Sequence, residues 1–191
     1  MSSIEPAIIV VSGLPRSGTS LMMQMLDQGG IEVVTDKIRT PDPDNPRGYY
    51  EFEPAKRLKH DASWLPSTRG KALKLVSQLL YDLPGSETYR IIFMERDLDE
   101  TLLSQEKMLA RLGRRAVPRE QMKRSYELHL ERLRVWLDRQ PTMELLTVCY
   151  QELVHNPRSE ARRVNDFLAA QADVERMAQS VDPSLYRNRK S

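Results

Sequence analysis

With 191 residues, 40% hydrophobic and 29% charged, the chain has the size of one ordinary domain and enough apolar side chains to bury a core. A net charge of +2 supplies no field for nucleic acid, and no run approaches the ~20 apolar residues that span a bilayer. The one cysteine, Cys149, excludes an internal disulfide, and His60, His129 and His155 stand too far apart in the chain for metal-ligand spacing.

The β-branched run Ala7-Ile8-Ile9-Val10-Val11 predicts a strand buried on both faces. It is too short for the apolar core of a signal peptide and follows Glu5 rather than Lys or Arg, so a cytoplasmic protein is expected. A turn begins at Gly13, and Leu21, Met22, Met25 and Leu26 then recur at helical spacing until Gly29-Gly30 stops them. Residues 32–35 predict a short second strand. Pro41, Pro43, Pro46 and Gly48, set among Asp42, Asp44 and Asn45, give residues 40–50 the composition of an irregular loop. A short helix is expected over 53–60, a third strand over 73–76 and a fourth over 90–95.

Asp97, with Glu100 three residues on, has the pattern of a capping box. The helix it opens carries Leu102, Leu103, Met108, Leu109 and Leu112 as its apolar stripe and ends near Gly113. From Pro118 a longer helix runs to about Gln140, with Met122, Tyr126, Leu130, Leu133 and Leu137 on its buried face. Residues 145–150 predict a fifth strand. Asn156-Pro157 fits the N-cap and first position of a helix that turns Ala161, Val164, Phe167 and Leu168 inward, and a last short helix starts at Asp173. Short apolar strands alternating with helices predict an α/β fold: a single three-layer P-loop-like domain over 1–191, with a central, mainly parallel sheet of about five strands flanked by helices. The loops after Val11, Val76, Glu95 and Val148 then share the carboxyl edge of the sheet, where such folds bind ligands.

Between the first strand and the first helix lies Gly13-Leu14-Pro15-Arg16-Ser17-Gly18-Thr19-Ser20, whose glycines sit five apart as in G-x-x-x-x-G-K-[ST]. Backbone N–H groups of such a loop point inward at phosphate oxygens, and the helix N-terminus adds partial positive charge. The lysine of the nucleoside triphosphatase pattern is replaced by Thr19, and the loop's cation is Arg16. That shift suggests an anion that ends sooner, and a forked guanidinium suits a phosphate or sulfate oxygen pair. Met94-Glu95 is a poor Walker-B sequence, which weakens a reading with magnesium and ATP.

Pro15-Arg16-Ser17-Gly18-Thr19-Ser20 resembles the 5′-phosphosulfate loop of sulfotransferases. A second motif accompanies it: Arg96 at the end of the fourth strand and Ser104 eight positions later resemble the arginine and serine with which that family holds the donor's 3′-phosphate. Asn45 to Glu51 is similar to the loop after the family's first helix, and Tyr150-Gln151-Glu152-Leu153 to its Tyr-Glu-Asp-Leu stretch. Val181-Asp182-Pro183-Ser184-Leu185-Tyr186-Arg187 is similar to the C-terminus of a compact branch.

The resemblance implies sulfuryl transfer from 3′-phosphoadenosine 5′-phosphosulfate (PAPS) to a hydroxyl or amine acceptor, without a metal, releasing 3′-phosphoadenosine 5′-phosphate (PAP). It implies donor binding by Pro15, Arg16, Ser17, Gly18, Thr19, Ser20, Arg96, Ser104 and Tyr150, and by the basic C-terminal residues Arg187 and Arg189. Arg16, Lys74 and Glu51 are the implied catalytic residues. Relatives acting on phenols and steroids carry Lys-Thr-His on the third strand, where this chain has Lys74-Leu75-Val76; the lysine matches and the histidine does not. Relatives acting on carbohydrates use a glutamate after the phosphate loop, which selects Glu51 as the base, with Glu53 and His60 behind it. The acceptor, a small molecule or carbohydrate, stays unassigned, and the chain's small size leaves room for a second copy, as a homodimer, to complete its pocket. Two alternatives remain: a P-loop kinase of a small molecule, and a protein that binds PAPS or PAP without turnover.

Overall fold

The computed structural model describes residues 6–36, 38, 48–169 and 172–185. Five strands form one parallel sheet: β1 (Ile8–Gly13), β2 (Val33–Val34), β3 (Ala72–Val76), β4 (Tyr89–Glu95) and β5 (Met143–Cys149), in the order β2-β3-β1-β4-β5. All six residues of β1 are buried, as a central strand covered on both faces requires. The expected three-layer α/β architecture is present.

Among the described residues six α-helices accompany the sheet: α1 (Thr19–Gln28), α2 (Leu98–Arg111), α3 (Arg119–Leu137), α4 (Tyr150–His155), α5 (Pro157–Leu168) and α6 (Val174–Gln179). On one face Met22, Met25 and Leu26 of α1 pack with Leu153 of α4, Ala161 and Val164 of α5 and Met177 of α6 over Ile9, Val11 and Ile92. On the other face Leu133 and Leu137 of α3 close over Ile8, Val10, Leu73, Leu75 and Ile91. Each fully buried aliphatic side chain of these two cores contributes roughly 1.5–3 kcal/mol.

The topology fixes where a ligand belongs. From β1 the chain leaves through α1 toward β2 at one edge; from β4 it leaves through α2 and α3 toward β5 at the other. Adjacent strands whose connections depart in opposite directions leave a crevice at their carboxyl ends. Here that crevice lies between Gly13 and the end of β4, since Gly13 is in register with Met94 on one side and with Val76 on the other.

Several local expectations change. Tyr150 does not extend β5; it opens α4, which buries Leu153 and Val154 against the core. The helix expected over 53–60 is a 3₁₀ turn, Glu53–Arg57, and further 3₁₀ turns occupy Leu65–Thr68 and Ser77–Asp82. The stripe of α2 is buried only at its start: Leu102 is enclosed, while Leu112 is 50% exposed, because the end of α2 extends beyond the core. Pro118 caps α3 rather than entering it, and Asn156 precedes α5 without a side-chain cap bond, its Nδ2 donating to Glu152.

Candidate active site

The loop between β1 and α1 has three residues with positive φ: Gly13 (155°), Arg16 (72°) and Gly18 (104°). At Gly13 a Cβ would stand 2.4 Å from Ser17 Oγ and 2.6 Å from the Met94 carbonyl; at Gly18 it would stand 2.4 Å from Cδ2 of Tyr150. Both positions therefore demand glycine on steric as well as conformational grounds. A left-handed arginine stores about 1–3 kcal/mol of strain, which persists only where the surroundings impose it.

Those surroundings are the second motif. Arg16 donates through Nε to Ser104 Oγ (3.1 Å), and its carbonyl accepts from Arg96 Nη1 (3.4 Å). Arg96 stands between β4 and α2, a junction fixed by Asp97, whose carboxylate accepts from the N–H groups of Asp99 (2.9 Å) and Glu100 (3.1 Å). The Arg96 guanidinium pairs with Glu100 (3.1 Å), the two side chains being 7% and 3% exposed, and lies over the Tyr150 ring at 4.6 Å. Tyr150 thus forms a floor, touching Gly18 on one side and Arg96 on the other. The sequence pattern assigned Glu100 to a cap; its i,i+4 spacing from Arg96 was the signal for the ion pair.

Two observations bear on whether an anionic donor fits. Ser17 Oγ is buried and has no hydrogen-bond partner among the described residues; Ser12 Oγ and Thr101 Oγ1 share that condition. A buried hydroxyl without a partner is unfavourable and invites a ligand oxygen. The loop with its orphan hydroxyl, the helix N-terminus behind it, and the Arg16, Arg96 and Ser104 side chains beside it are a donor set suited to phosphate oxygens.

Lys74 and the segment after the first helix make the next wall. Lys74 Nζ bonds the Tyr49 carbonyl, approaches Ser20 Oγ at 3.4 Å and lies 5.9 Å from the Tyr49 ring centre. Ser20 Oγ also reaches the Tyr49 carbonyl, at 3.5 Å. Thr35 Oγ1 and the Asp36 N–H both donate to the Glu51 carbonyl, at 3.1 and 3.2 Å. Lys56 is held charged above its usual range by its hydrogen bond to Glu53, and the fields of Glu53, Glu51 and Asp36 add to this. Tyr50 donates to Asp27 (3.1 Å), and burial together with that carboxylate pushes its phenol up to about 12.

The structure therefore brings Arg16, Ser17, Gly18, Arg96, Ser104 and Tyr150 together, with Pro15 in the same loop and Thr19 and Ser20 opening α1. Lys74 joins through Ser20. Arg187 and Arg189 lie outside the described residues, as do Asn45, Pro46 and Arg47. Sequence reasoning missed a pair at the end of β3: Ser77 Oγ and His129 Nε2 share a hydrogen bond of 2.8 Å. Among the described residues no cluster of three or more His, Cys, Asp or Glu side chains is placed to hold a metal, and no helix is long and apolar enough to cross a membrane.

Comparison with known proteins bears on the fold. Residues 86–173, which contain Arg96, Ser104 and Tyr150, match the profile described as the Sulfotransferase family. The sulfotransferase domain from the Synechococcus PCC 7002 olefin synthase has a similar structure, with a TM-score of 0.58 and 15% identity over 97% of this chain and 88% of that one. The sulfotransferase domain from the curacin biosynthetic pathway gives 0.56 and 16% over 96% and 90%. A sulfotransferase from Alicyclobacillus acidocaldarius gives 0.51 and 15% over 95% and 89%. At such identities these structures establish the fold. No curated protein sequence matches the chain.

Proposed function

We propose that this chain, whose residues 86–173 are of the sulfotransferase family, transfers a sulfuryl group from PAPS to an acceptor hydroxyl or amine and releases PAP. One observation carries the reading: two motifs some eighty residues apart in the chain converge, Arg16 on Ser104 and Arg96 on Arg16, beside a buried Ser17 hydroxyl that has no protein partner among the described residues.

Arg96 and Ser104 offer donors to the 3′-phosphate, each hydrogen bond to a charged oxygen contributing roughly 1.5–3 kcal/mol. The loop N–H groups, Ser17, Thr19 and Ser20 hold the 5′-phosphate, with Pro15 and Gly18 shaping the loop. Tyr150 supports Gly18 and Arg96 from beneath. Transfer in line to an acceptor oxygen or nitrogen asks the protein mainly for position and charge stabilisation. Arg16 neutralises charge developing on the bridging oxygen; Lys74, anchored to Ser20 and Tyr49, adds a second cation. Glu51, two residues beyond Tyr49, is the carboxylate this reading places beside the acceptor. Thr19 in place of the loop lysine argues against phosphoryl transfer from ATP.

Calorimetric titration of the protein with PAP, and separately with magnesium-ATP, tests the reading. Tight PAP binding that weakens in Ser104→Ala, with weak ATP binding, supports it. Equal affinity for the two nucleotides, or loss of neither in the variant, refutes it.

A further inference from the structure

The third strand ends in Val76, 44% exposed, where the phenol and steroid sulfotransferases that the chain resembles carry a histidine. The next residue, Ser77, is fully buried, and its hydroxyl meets His129 Nε2 of α3 at 2.8 Å. A histidine is therefore present at the carboxyl end of β3, supplied from a helix more than fifty residues later. Ser77 Oγ is also placed to donate to Gln78 Oε1 (3.5 Å). In the tautomer protonated at Nε2, Oγ accepts from Nε2–H and Nδ1 carries a lone pair. Among the described residues Nδ1 has no hydrogen-bond partner. The Tyr81 ring packs edge-on against the imidazole, with centroids 6.1 Å apart, and Trp136 packs on Tyr81 at 4.9 Å, so one wall of the ring is aromatic.

Its position relative to the phosphate loop follows from the register and the helix packing. Val76 is in register with Gly13, so Ser77 lies one residue past the start of the loop on the adjacent strand. Leu14 of the loop shares a small apolar cluster with Tyr126, one turn before His129 on α3, and Leu130 packs against that cluster. The turn of α3 that carries His129 thus packs into the same cluster as the donor loop, while Lys74 works on the opposite face of β3, toward α1.

We propose that His129 is the base that takes the acceptor's proton, with Ser77 as the residue that positions it; this rests on the sulfuryl-transfer reading. The acceptor O–H proton passes to Nδ1 as the acceptor oxygen bonds to sulfur. The bond from sulfur to the bridging oxygen breaks, and its electron pair leaves with the 5′-phosphate of PAP. The imidazolium returns its proton to solvent. Burial holds His129 below the usual histidine range, so the neutral, proton-accepting ring is the form present near pH 7. The charged or titratable groups facing this corner are Tyr81, held protonated by burial, and Arg132 one turn along α3, whose field acts on Tyr81.

The test uses the full chain and needs no identified acceptor. Imidazole nitrogen and proton NMR should show His129 as the Nε2–H tautomer. Adding PAP should raise its titration midpoint by about one pH unit, the effect of an opposite charge within ~4–6 Å. With water in the acceptor's place, release of PAP from PAPS should fall roughly 10²-fold in His129→Gln with PAP affinity retained, and the acid limb of its pH profile should disappear. Ser77→Ala should give a smaller loss and a mixed tautomer. If PAP fails to bind the wild type, the donor reading itself falls. If PAP binds but leaves the His129 resonance unmoved, or if Glu51→Gln abolishes PAP release while His129→Gln does not, the base is not His129.

Discussion

The Nε of Arg16 donates to the hydroxyl of Ser104 at 3.1 Å, so the cation of the phosphate loop and the serine of the second motif are one contact. Without a donor molecule each satisfies the other. Each side chain is thereby held in place by the other, with part of its conformational entropy already spent.

Ser104→Ala removes one hydroxyl from a buried position and leaves Arg16 without that acceptor. At roughly 1.5–3 kcal/mol for a hydrogen bond to a charged oxygen, PAP should bind about 10- to 150-fold more weakly. Affinity for adenosine 5′-phosphate, which lacks the 3′-phosphate, should change little. Parallel titrations with the two nucleotides check this, and equal losses for both would place Ser104 elsewhere than at the 3′ end.

Arg96→Ala acts on stability as well as binding. Glu100 is 3% exposed and pairs with Arg96, so truncation takes that cation away from a nearly buried carboxylate. Breaking such a pair from one side costs about 3–5 kcal/mol. Arg96→Ala should lower the melting temperature sharply, and Arg96→Ala combined with Glu100→Ala should recover part of the loss, since the pair is then removed as a unit. Thermal unfolding of both variants decides it; a full-sized loss in the double variant would trace the effect to the Tyr150 contact instead.

Gly18→Ala meets two obstacles: a φ of 104° and a Cβ that would stand 2.4 Å from the Tyr150 ring. Relieving the contact alone leaves the backbone strain. The variant should therefore lose most PAP affinity, and Tyr150→Ala in the same chain should restore only a minor share of it. Full restoration by the second change would mean that sterics, not φ, make this position a glycine.

Much of this arrangement was legible in the sequence because local patterns carried it. The β-branched run before Gly13, the glycines five apart and the stripe of α3 specify strand, loop and helix from neighbouring residues alone. Arg96 and Ser104 were readable as a strand end and a position on the next helix, eight residues apart. What stayed hidden depends on strand order. Nothing local places Ser77 beside His129, since the pairing arises only because β3 lies next to β1 and α3 folds back over both. Tyr150 was mistaken for the end of a strand because an aromatic residue after Leu-Thr-Val-Cys satisfies β propensity; tertiary packing of Leu153 and Val154 overrides it.

Lys74→Met keeps the length of the side chain but removes the donor to the Tyr49 carbonyl and Ser20. Tyr49 is 5% exposed, so its segment should loosen from α1 and carry Glu51 with it. PAP release from PAPS should drop by an order of magnitude or more in turnover with a smaller change in PAP affinity. Affinity falling as much as turnover would make Lys74 a donor-binding group only.

His129 also predicts how stability responds to acid. Burial lowers its pKa in the folded protein below the ordinary histidine value of about 6.5 that the unfolded chain retains. Above that value neither state is protonated there and the residue contributes nothing to the pH dependence. As pH falls below it, the unfolded chain binds a proton that the folded protein does not, so stability declines until the folded ring titrates as well. His129→Gln removes this proton from both states. The gap in melting temperature between wild type and variant should therefore be constant at and above pH 7.5 and should shift in the variant's favour toward pH 5.5. A gap that does not change over that range would mean that the imidazole titrates alike in the folded and unfolded chain, and that the packing of Tyr81 and α3 around it fails to exclude water.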